Sequence, residues 1–450
     1  MDRSVRLAGD ARAFGGLAGL AAAVVALLVA PAFAGAAQAD YAPLDQPGPP
    51  LSVPIAKLEA SLQCSPGVSN ASREPVLLNP ATGVTPEQNY SWNWEPALTS
   101  LGIPWCAYTA PQHTLGDIQD SGEYLVYNIR KMYAMARRPV AVLGHSQGGM
   151  SMRWPLRFWP DTRAMVDDVI GFAPSNHGTT QRPNCSNGCP PAVWQQFDTA
   201  RFIAAINSRA ETFPGVSYTN VYTHFDEVVR PSDNNQNASS ALRNGGGAIT
   251  NIAIQDICPF DTREHNMIGT SDPAAYALGV DALTHPGPAD PSRIDPSVCA
   301  QPGMPGNNPA ALNTWLQIAQ SGPGLLAVAT PINLVGAPEV NEEPQLRCYV
   351  FARCPASRAR PALRVAVKPR RPRPGRRHFQ IRVRSRQGRK LQPVAGVHIR
   401  FGRQRIRRPT NDRGILRIRR RVKAHHKYKV VATRYGCKSG IAKVRSRLHR

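Results

Sequence analysis

The sequence feature that most constrains the fold is a serine that lies between two glycines directly after a short apolar run. Residues 140–143 (Val-Ala-Val-Leu) predict a buried strand, and residues 144–148 (Gly-His-Ser-Gln-Gly) follow it. The second run matches the G-x-S-x-G nucleophile elbow, a sharp turn from a strand into a helix. Side chains two residues before and after the serine would clash in that turn, which explains both glycines. The pattern predicts that Ser146 is a nucleophile above a sheet, and a glycine-rich turn with a chance serine is the alternative.

Predicted strands alternate with predicted helices on both sides of this elbow. Besides the elbow strand, the predicted strands are residues 74–79, 103–108, 166–173, 215–223 and 249–255. The apolar spacing predicts helices over residues 92–101 and 117–136, and another from Gln147 that has to tolerate Pro155. Strands that alternate with helices form a mostly parallel sheet with helices on both faces. The predicted fold class is therefore α/β, and the elbow makes an α/β-hydrolase fold the specific prediction.

Two candidate partners for the serine lie just beyond later predicted strands. Asp226 follows the strand at 215–223, and His265 follows the strand at 249–255. Ser146, Asp226 and His265 therefore occur in the chain order of α/β-hydrolase triads. They also lie at strand ends, where ligands collect in open α/β sheets. The alternatives that the sequence leaves open are Glu227 for the acid and His224 or His285 for the base.

A loop of small residues follows the first of these strands. Residues 80–86 are Pro-Ala-Thr-Gly-Val-Thr-Pro. In α/β-hydrolases the loop after an early strand supplies part of the oxyanion hole. Thr82 offers a backbone N–H and a hydroxyl as donors, and an ordinary strand-ending turn is the alternative.

The N-terminus has the three parts of a secretory signal peptide. Three arginines within the first twelve residues form a positive segment, residues 15–31 are almost wholly apolar, and residues 37–39 (Ala-Gln-Ala) fit a cleavage site. We therefore expect residues 1–39 to be removed and the protein to be secreted. An uncleaved membrane anchor is the alternative.

Nine cysteines in an exported chain predict disulfides, and the odd number leaves at least one thiol free or bonded to another molecule. Cys185 and Cys189 lie in a loop rich in Asn, Gly and Pro, where a small disulfide loop is the prediction and half of a zinc site the alternative. We expect neither a metal nor an organic cofactor. The pairing of Cys348, Cys354 and Cys437 stays open.

Charge divides the chain into two parts. Residues 361–450 hold 31 Lys and Arg against one acid, Asp412, which gives +30, whereas the rest of the chain holds 23 basic and 29 acidic residues, which gives −6. Within the basic part, apolar residues alternate with polar and basic ones at 379–384 and 397–401, a period of two that predicts β-strands. The predicted domains are a catalytic domain over 40–350, a Pro/Arg-rich linker over 351–377 and a basic β-sandwich over 378–450.

Short runs between residues 60 and 300 resemble the family of Candida antarctica lipase B and its actinobacterial relatives. They are Leu78-Asn79-Pro80-Ala81-Thr82-Gly83, Phe172-Ala173-Pro174, Gly178-Thr179, Val193-Trp194-Gln195-Gln196, Asp226-Glu227-Val228-Val229-Arg230-Pro231 and Cys258-Pro259. Two positions depart from the family, because His145 stands where lipase B has a tryptophan and Ser175 where it has an aspartate. The basic part resembles Ig-like or carboxypeptidase-regulatory-like modules through residues 393–397 and 410–414.

The resemblance implies a role for each matching residue. It implies that Ser146 is the nucleophile, Asp226 the acid and His265 the base, with Thr82 and Gln147 as oxyanion donors. It implies that Gln196 and Val228 line the substrate pocket and that His145 removes bulk from the alcohol side of that pocket. It also implies two disulfides, Cys64 with Cys106 and Cys258 with Cys299.

Sequence and resemblance together predict a secreted serine lipase or carboxylesterase that hydrolyses acylglycerol-type esters through an acyl-enzyme. A polyester or thioester hydrolase is the alternative enzyme, and a surface-binding protein with an idle hydrolase domain is the alternative of another class. We expect a lipid or small ester substrate, a monomer, and a basic C-terminal module that binds an anionic envelope polymer or lipid surface. Nucleic acid is not expected as a partner, because the chain is exported and no aromatic platform interleaves the arginines.

Overall fold

The structure is a computed structural model that describes residues 40–233, 237–308, 310, 339–354, 362–387, 390–394, 396–411, 413–433 and 438–447. The predicted signal peptide, residues 1–39, and Cys437 lie outside the described residues.

Seven strands form the central sheet of the N-terminal part. They are β1 (Leu62–Cys64), β2 (Val76–Asn79), β3 (Trp105–Tyr108), β4 (Val140–His145), β5 (Val166–Phe172), β6 (Ser217–Tyr222) and β7 (Ala248–Ala253). Their order is β1-β3-β2-β4-β5-β6-β7. β1 is antiparallel to β3, and every other neighbouring pair is parallel. This sheet confirms the predicted α/β class, and it brings the carboxyl ends of β2 to β7 to one edge.

Helices connect these strands. The α-helices are α1 (Ile55–Glu59), α2 (Pro86–Tyr90), α3 (Trp94–Ser100), α4 (Ile118–Ala136), α5 (Gln147–Ser151), α6 (Arg153–Phe158), α7 (Pro191–Gln195), α8 (Arg201–Ile206), α9 (His265–Ile268) and α10 (Pro273–Thr284). Short 3-10 helices cover Pro111–Thr114, Pro160–Met165, Ile254–Asp256, Pro291–Arg293, Pro296–Ala300 and Cys348–Val350. The helix predicted after the elbow is divided into α5 and α6, and Pro155 lies in the first turn of α6, where its missing N–H is tolerated.

Both faces of the sheet are buried against helices. Successive side chains of a strand point to opposite faces, so each strand contributes to two cores. On one face Leu143 of β4 packs in a core that includes Trp94 of α3. On the other face Val142 packs in a core that includes Leu125 of α4. The sheet edge that carries the elbow is therefore held from two sides. In the described part of the chain, none of the helices is long and apolar enough to cross a membrane.

The basic C-terminal part forms a two-sheet sandwich, which confirms the predicted all-β module. One sheet contains β8 (Arg364–Lys368), β9 (Gly375–Gln387), β10 (Lys390–Pro393) and β13 (Ile415–Val422), and the other contains β11 (His398–Phe401), β12 (Gln404–Arg405), β14 (Lys427–Thr433) and β15 (Gly440–Arg445). All strand pairs are antiparallel. The inner faces share one core, in which the rings of Phe379 and Phe401 lie 5.0 Å apart.

The two parts meet at a different place from the predicted boundary. Strand β8 lies inside the range predicted as linker, because its buried Val367 and the preceding Leu363 complete the core of the sandwich. Phe351, also within that range, stacks on Tyr41 of the N-terminal part with ring centroids 6.0 Å apart. We therefore call residues 40–354 the catalytic body and residues 362–447 the basic module.

Candidate active site

The elbow is a strained turn between β4 and α5. The backbone of Ser146 has φ 55° and ψ −121°, a region that non-glycine residues adopt at a cost of about 1–3 kcal/mol. Its N–H donates to the Phe172 carbonyl at 2.8 Å, which fixes the turn to β5. A Cβ on Gly144 would lie 2.4 Å from the carbonyl carbon of Gly148, and a Cβ on Gly148 would lie 2.1 Å from the Asn79 carbonyl oxygen. Both glycines are therefore required by close backbone approach.

The structure brings Ser146, His265 and Asp226 together at this edge of the sheet. Nε2 of His265 lies 3.0 Å from Oγ of Ser146, and Nδ1 lies 2.8 Å from Oδ2 of Asp226. The other carboxylate oxygen of Asp226 accepts from the N–H groups of Val228 at 2.9 Å and Val229 at 2.7 Å. Because these donors fix the carboxylate, it can in turn fix the imidazole. The arrangement is that of a nucleophile, a base and an orienting acid.

The charge around His265 favours its protonated form. Burial by itself lowers the pKa of His265, but the charge and hydrogen bond of Asp226, together with the charges of Glu227 and Glu264, outweigh burial, so that the pKa rises to about 9. Glu227 also accepts from the backbone N–H of His265 at 3.3 Å. Burial and the neighbouring Glu227 raise the pKa of the Glu264 carboxyl. The site therefore favours an imidazolium at this position.

The backbone N–H groups of Thr82 and Gln147 are available as donors beside the nucleophile. The neighbouring N–H groups of Ala81 and Gly83 are bonded to side chains at 2.8 Å, from Asn89 and Thr114. Among the described residues the N–H of Thr82 has no acceptor. Gln147 is the first residue of α5, so its N–H has no intrahelical acceptor. The helix terminus adds a positive partial charge at the same place.

Gln196 holds the two oxyanion candidates in place. Its Nε2 donates to Oγ1 of Thr82 at 3.1 Å and to Oε1 of Gln147 at 3.0 Å. The Thr82 hydroxyl donates to the same Gln147 oxygen at 3.1 Å. Ser175 donates to Oε1 of Gln196 at 3.1 Å, so the hydroxyl at the position of the family's aspartate helps to orient this amide. The side chain of Gln196 thus connects the loop after β2 with the start of α5.

The three residues that the resemblance placed in the substrate pocket are buried. His145, Gln196 and Val228 have at most 1% of their surface exposed, so they do not line an open cavity in this structure. Nε2 of His145 lies 3.2 Å from the carbonyl oxygen of His265, and a Cβ on Gly269 would lie 2.2 Å from Cγ of its ring. Burial and the nearby His265 lower the pKa of His145 to about 3. The His145 ring therefore packs beneath the loop of the base, and the expectation that it removes bulk from the alcohol side stays a prediction.

The residues that the sequence left open as an alternative acid or base make other contacts. Nδ1 of His285 pairs with Asp281, one helical turn earlier in α10, at 3.1 Å. Nδ1 of His224 donates to the Ser232 carbonyl at 2.8 Å. Glu227 is exposed and reaches the backbone of His265 rather than its ring.

Sequence reasoning missed the residues that brace the elbow from below. The hydroxyl of Tyr90 donates to the Asn79 carbonyl at 2.7 Å and accepts from the N–H of His145 at 3.1 Å. Nδ2 of Asn79 donates to the Gly148 carbonyl at 2.8 Å. These contacts join β2, β4 and α5 just under the nucleophile. No local pattern marks Tyr90 or Asn79 as parts of the site, because their partners in the elbow, His145 and Gly148, lie more than 50 residues away.

Four disulfides are present among the described residues. They are Cys64–Cys106, Cys185–Cys189, Cys258–Cys299 and Cys348–Cys354. The first and third are the pairs that the resemblance implies, and the second is the small loop that the sequence favoured over a zinc site. The fourth closes the C-terminal end of the catalytic body. Cys258–Cys299 anchors the segment that leads to His265.

One group of carboxylates among the described residues could share a cation, and it lies away from the active site. Glu74, Asp167 and Asp168 each place an oxygen within 4.8 Å of the others. They precede or begin β2 and β5, at the sheet edge opposite to Ser146. Burial and the neighbouring carboxylates raise the pKa of Glu74 and that of Asp168 to about 8. Glu74 and Asp168 therefore favour their protonated forms at neutral pH.

Comparison with known proteins gives a consistent result. No protein-family model matches the chain. Lipase B of Pseudozyma antarctica is 31% identical over 306 residues, which cover 67% of this chain and 86% of that protein. The crystal structure of Aspergillus fumigatus lipase B superposes with a TM-score of 0.61 at 30% identity, and the match covers 70% of this chain and 76% of that one.

Proposed function

The chain belongs to the lipase B family of carboxylic ester hydrolases, and on that premise we propose that it is a secreted serine lipase that cleaves acylglycerol-type esters. The observation that carries the proposal is the hydrogen-bonded chain from Ser146 through His265 to Asp226. Four disulfides support secretion, because such bonds persist in oxidising compartments.

In this mechanism Oγ of Ser146 attacks the ester carbonyl carbon while Nε2 of His265 takes the hydroxyl proton. Asp226 keeps the imidazole in the required tautomer and stabilises its charged form. The carbonyl oxygen becomes an oxyanion that the N–H groups of Thr82 and Gln147 bind. The imidazolium then gives its proton to the leaving alcohol, and an acyl-enzyme remains on Ser146. Water, deprotonated by His265, attacks the acyl carbon, the acid leaves, and the serine regains its proton.

Two exposed phenylalanines favour a lipid phase over a dissolved ester as the source of substrate. Phe225 is 51% exposed next to Asp226, and Phe260 is 98% exposed in the segment before His265. Gln255 ties the two loops together, because its amide donates to the Thr223 hydroxyl at 2.9 Å and to the carbonyl of the residue after Phe260 at 2.8 Å. Exposed aromatic rings on two linked loops beside the site are suited to contact with another apolar surface. Here that surface would be the lipid that contains the ester.

The nucleophile is tested with Ser146→Ala. We expect the turnover of p-nitrophenyl esters to fall by about 10⁴–10⁶-fold and labelling by a serine-reactive phosphonate to disappear, with an unchanged unfolding temperature. Ser91→Ala, a change at an exposed helix end, is the matched control and should be silent. Near-normal turnover by the folded Ser146→Ala protein would refute the assignment, and an inactive wild-type protein across a panel of carboxylic esters, thioesters and polyesters would indicate an idle domain.

The lipid preference is tested with Phe225→Ser and Phe260→Ser. We expect each change to lower hydrolysis of emulsified triacylglycerol severalfold and to leave a water-soluble short-chain ester unaffected. Ile55→Ser on α1 removes an apolar side chain of similar exposure, 49%, and should change neither rate. Equal losses on both substrates would mean that the phenylalanines support the site structurally rather than through a lipid phase.

A further inference from the structure

The outer face of the first sheet of the basic module is a continuous field of cations. Phe379, Ile381 and Val383 of β9 point into the core, so the residues between them point outward. Over the stretch of β9 that pairs with β8 and β13, the register places the exposed cations of the three strands on this one face. They are Arg364 and Lys368 on β8, Arg376, Arg382 and Arg384 on β9, and Arg417, Arg419 and Arg421 on β13. We call these eight residues the arginine face.

Like charges stand directly opposite one another on the arginine face. Arg421 is the register partner of Arg376, and Arg364 is the register partner of Arg384. Directly opposed like charges destabilise a sheet. No ion pair forms between described residues of the basic module, and its sequence holds a single acid. The fold thus leaves the repulsion without an internal counter-charge.

The opposite outer face of the sandwich is also basic, and its like charges also stand opposite one another, as Lys427 and Arg445 do. Its exposed cations are Arg400 and Arg405 on β11 and β12, Lys427 and Lys429 on β14, and Lys443 and Arg445 on β15. This lysine face has fewer cations, and half of them are lysines. Guanidinium groups bind phosphate oxygens in a bidentate way, whereas ammonium groups act as strongly hydrated point charges. The arginine face is therefore the better match for phosphate groups.

We propose that the arginine face binds the phosphate-bearing surface of an anionic phospholipid bilayer and holds the catalytic body close to lipid. The cations lie on a sheet with strands about 4.8 Å apart and outward residues about 6.6–6.8 Å apart along each strand, which is a two-dimensional array rather than a single row. A lipid surface presents negative charge in two dimensions, and a linear polyanion presents it in one. No Phe, Tyr or Trp stands among the eight residues, so the face offers no platform for nucleic-acid bases.

The choice of a lipid surface rests on the proposed lipase function, but the binding measurement does not use ester hydrolysis. A wild-type protein that hydrolysed a soluble ester but did not bind anionic vesicles would refute this inference and leave the proposed function standing. Because the attraction is electrostatic, it should weaken steeply as the Debye length falls below about 10 Å, near 0.1 M salt.

The test compares two full-length variants that each lose four charges. One carries Arg376→Gln, Arg382→Gln, Arg417→Gln and Arg419→Gln on the arginine face, and the other carries Lys427→Gln, Lys429→Gln, Lys443→Gln and Arg445→Gln on the lysine face. Partitioning onto vesicles of phosphatidylcholine with phosphatidylglycerol, and onto phosphatidylcholine alone, is measured by sedimentation over a salt series. Circular dichroism confirms that both variants are folded.

We expect the arginine-face variant to bind the anionic vesicles roughly 10²–10³-fold more weakly than wild type at low salt. Each basic residue near such a surface raises the binding constant by slightly less than about tenfold. The lysine-face variant should lose much less, and wild type should not bind phosphatidylcholine alone. Equal losses of vesicle binding in the two variants would overturn the assignment of binding to the arginine face. In a competition experiment, duplex DNA should not displace the wild-type protein from the vesicles unless its phosphate concentration exceeds that of the lipid. Displacement at a lower phosphate concentration would overturn the choice of a lipid surface as the partner.

Discussion

The catalytic body and the basic module are both built on β-sheets, yet they treat charge in opposite ways. In the body, Arg347 contacts Asp120 and Glu123, and the buried Arg157 donates to the carbonyls of Ala42 and Ser208. Every ion pair between described residues lies in the body. In the module, by contrast, arginines stand opposite arginines.

This difference shows what charge does in each part. A charge that is neutralised within the fold can hold loops and shift the pKa of a neighbour, as the carboxylates around His265 do. Charges that the fold leaves uncompensated destabilise it and are available only to something outside. The comparison therefore predicts that changes in the body alter chemistry and stability, whereas changes on the module surface alter binding.

The largest expected effect is on chemistry in the body. Asp226→Asn should lower kcat on a soluble ester by about 10⁴-fold, because the amide holds His265 in the wrong tautomer. Steady-state kinetics measures the loss, and vesicle binding should stay as in wild type. Asp233→Asn, an exposed change in the same connection, is the control. A parallel loss of vesicle binding would break the division between the two parts.

The next effect concerns the oxyanion donors. The Thr82 hydroxyl donates to Gln147 in the free enzyme, and we expect it to turn to the oxyanion, as a donor beside the Thr82 N–H, once substrate binds. Thr82→Ala removes this hydroxyl and leaves the backbone N–H, so kcat should fall by up to about 10²–10³-fold with little change in KM. Thr85→Ala removes a hydroxyl three residues later that caps α2, and it should cost about 1 kcal/mol of stability without a comparable loss of kcat. If the Thr82→Ala variant kept a kcat as high as that of the Thr85→Ala variant, the Thr82 hydroxyl would have no part in the reaction.

The disulfides of the catalytic body should differ in how much they stabilise the fold. Replacing Cys258 and Cys299 by serine opens a bridge with a sequence separation of 41 residues, and should lower the free energy of unfolding by about 4 kcal/mol on chain entropy. Replacing Cys185 and Cys189 opens one with a separation of 4 and should cost about 2 kcal/mol. Denaturant unfolding measures both. Only the first pair should also reduce turnover, since it anchors the segment before His265.

A smaller effect is expected on the pH profile. Because only neutral His265 accepts the serine proton and its pKa is about 9, kcat/KM should rise from neutral pH towards pH 9 and then level off. Glu227→Gln removes a negative neighbour that raises this pKa, so the rise should move to lower pH and the rate at pH 7 should increase a few-fold. Glu87→Gln, in the first turn of α2, should leave the profile in place.

The smallest expected effect concerns the stability of the basic module. Salt screens the repulsion between opposed arginines, so raising NaCl should stabilise the basic module by about 1 kcal/mol, or a few degrees in unfolding temperature. The body, whose charges are paired, should change less or in the opposite direction. Calorimetry on the full-length protein follows both transitions. Equal stabilisation of the two would mean that the salt acts generally rather than on the opposed arginines.

Much of the architecture could be predicted because it depends on local pattern. The apolar run and the glycines around Ser146 require a strand and a tight turn, and the predicted strands at 166–173, 215–223 and 249–255 agree with β5, β6 and β7 to within about two residues at most ends. The period-two alternation of the basic part likewise predicted a sandwich. The strand at 364–368 was missed, because the prolines and arginines around it resemble a linker and its apolar residues are recognisable only against the core that they complete.

Side-chain direction at the site is what the tertiary structure alone decided. The sequence determined that a serine elbow, an aspartate and a histidine follow successive strands, because backbone conformation and strand order are encoded locally. It did not determine that His145 packs beneath the loop of His265, that Gln196 joins Thr82 to Gln147, or that eight cations share one face. Those facts depend on register and on packing between residues far apart in the chain, which local periodicity does not specify.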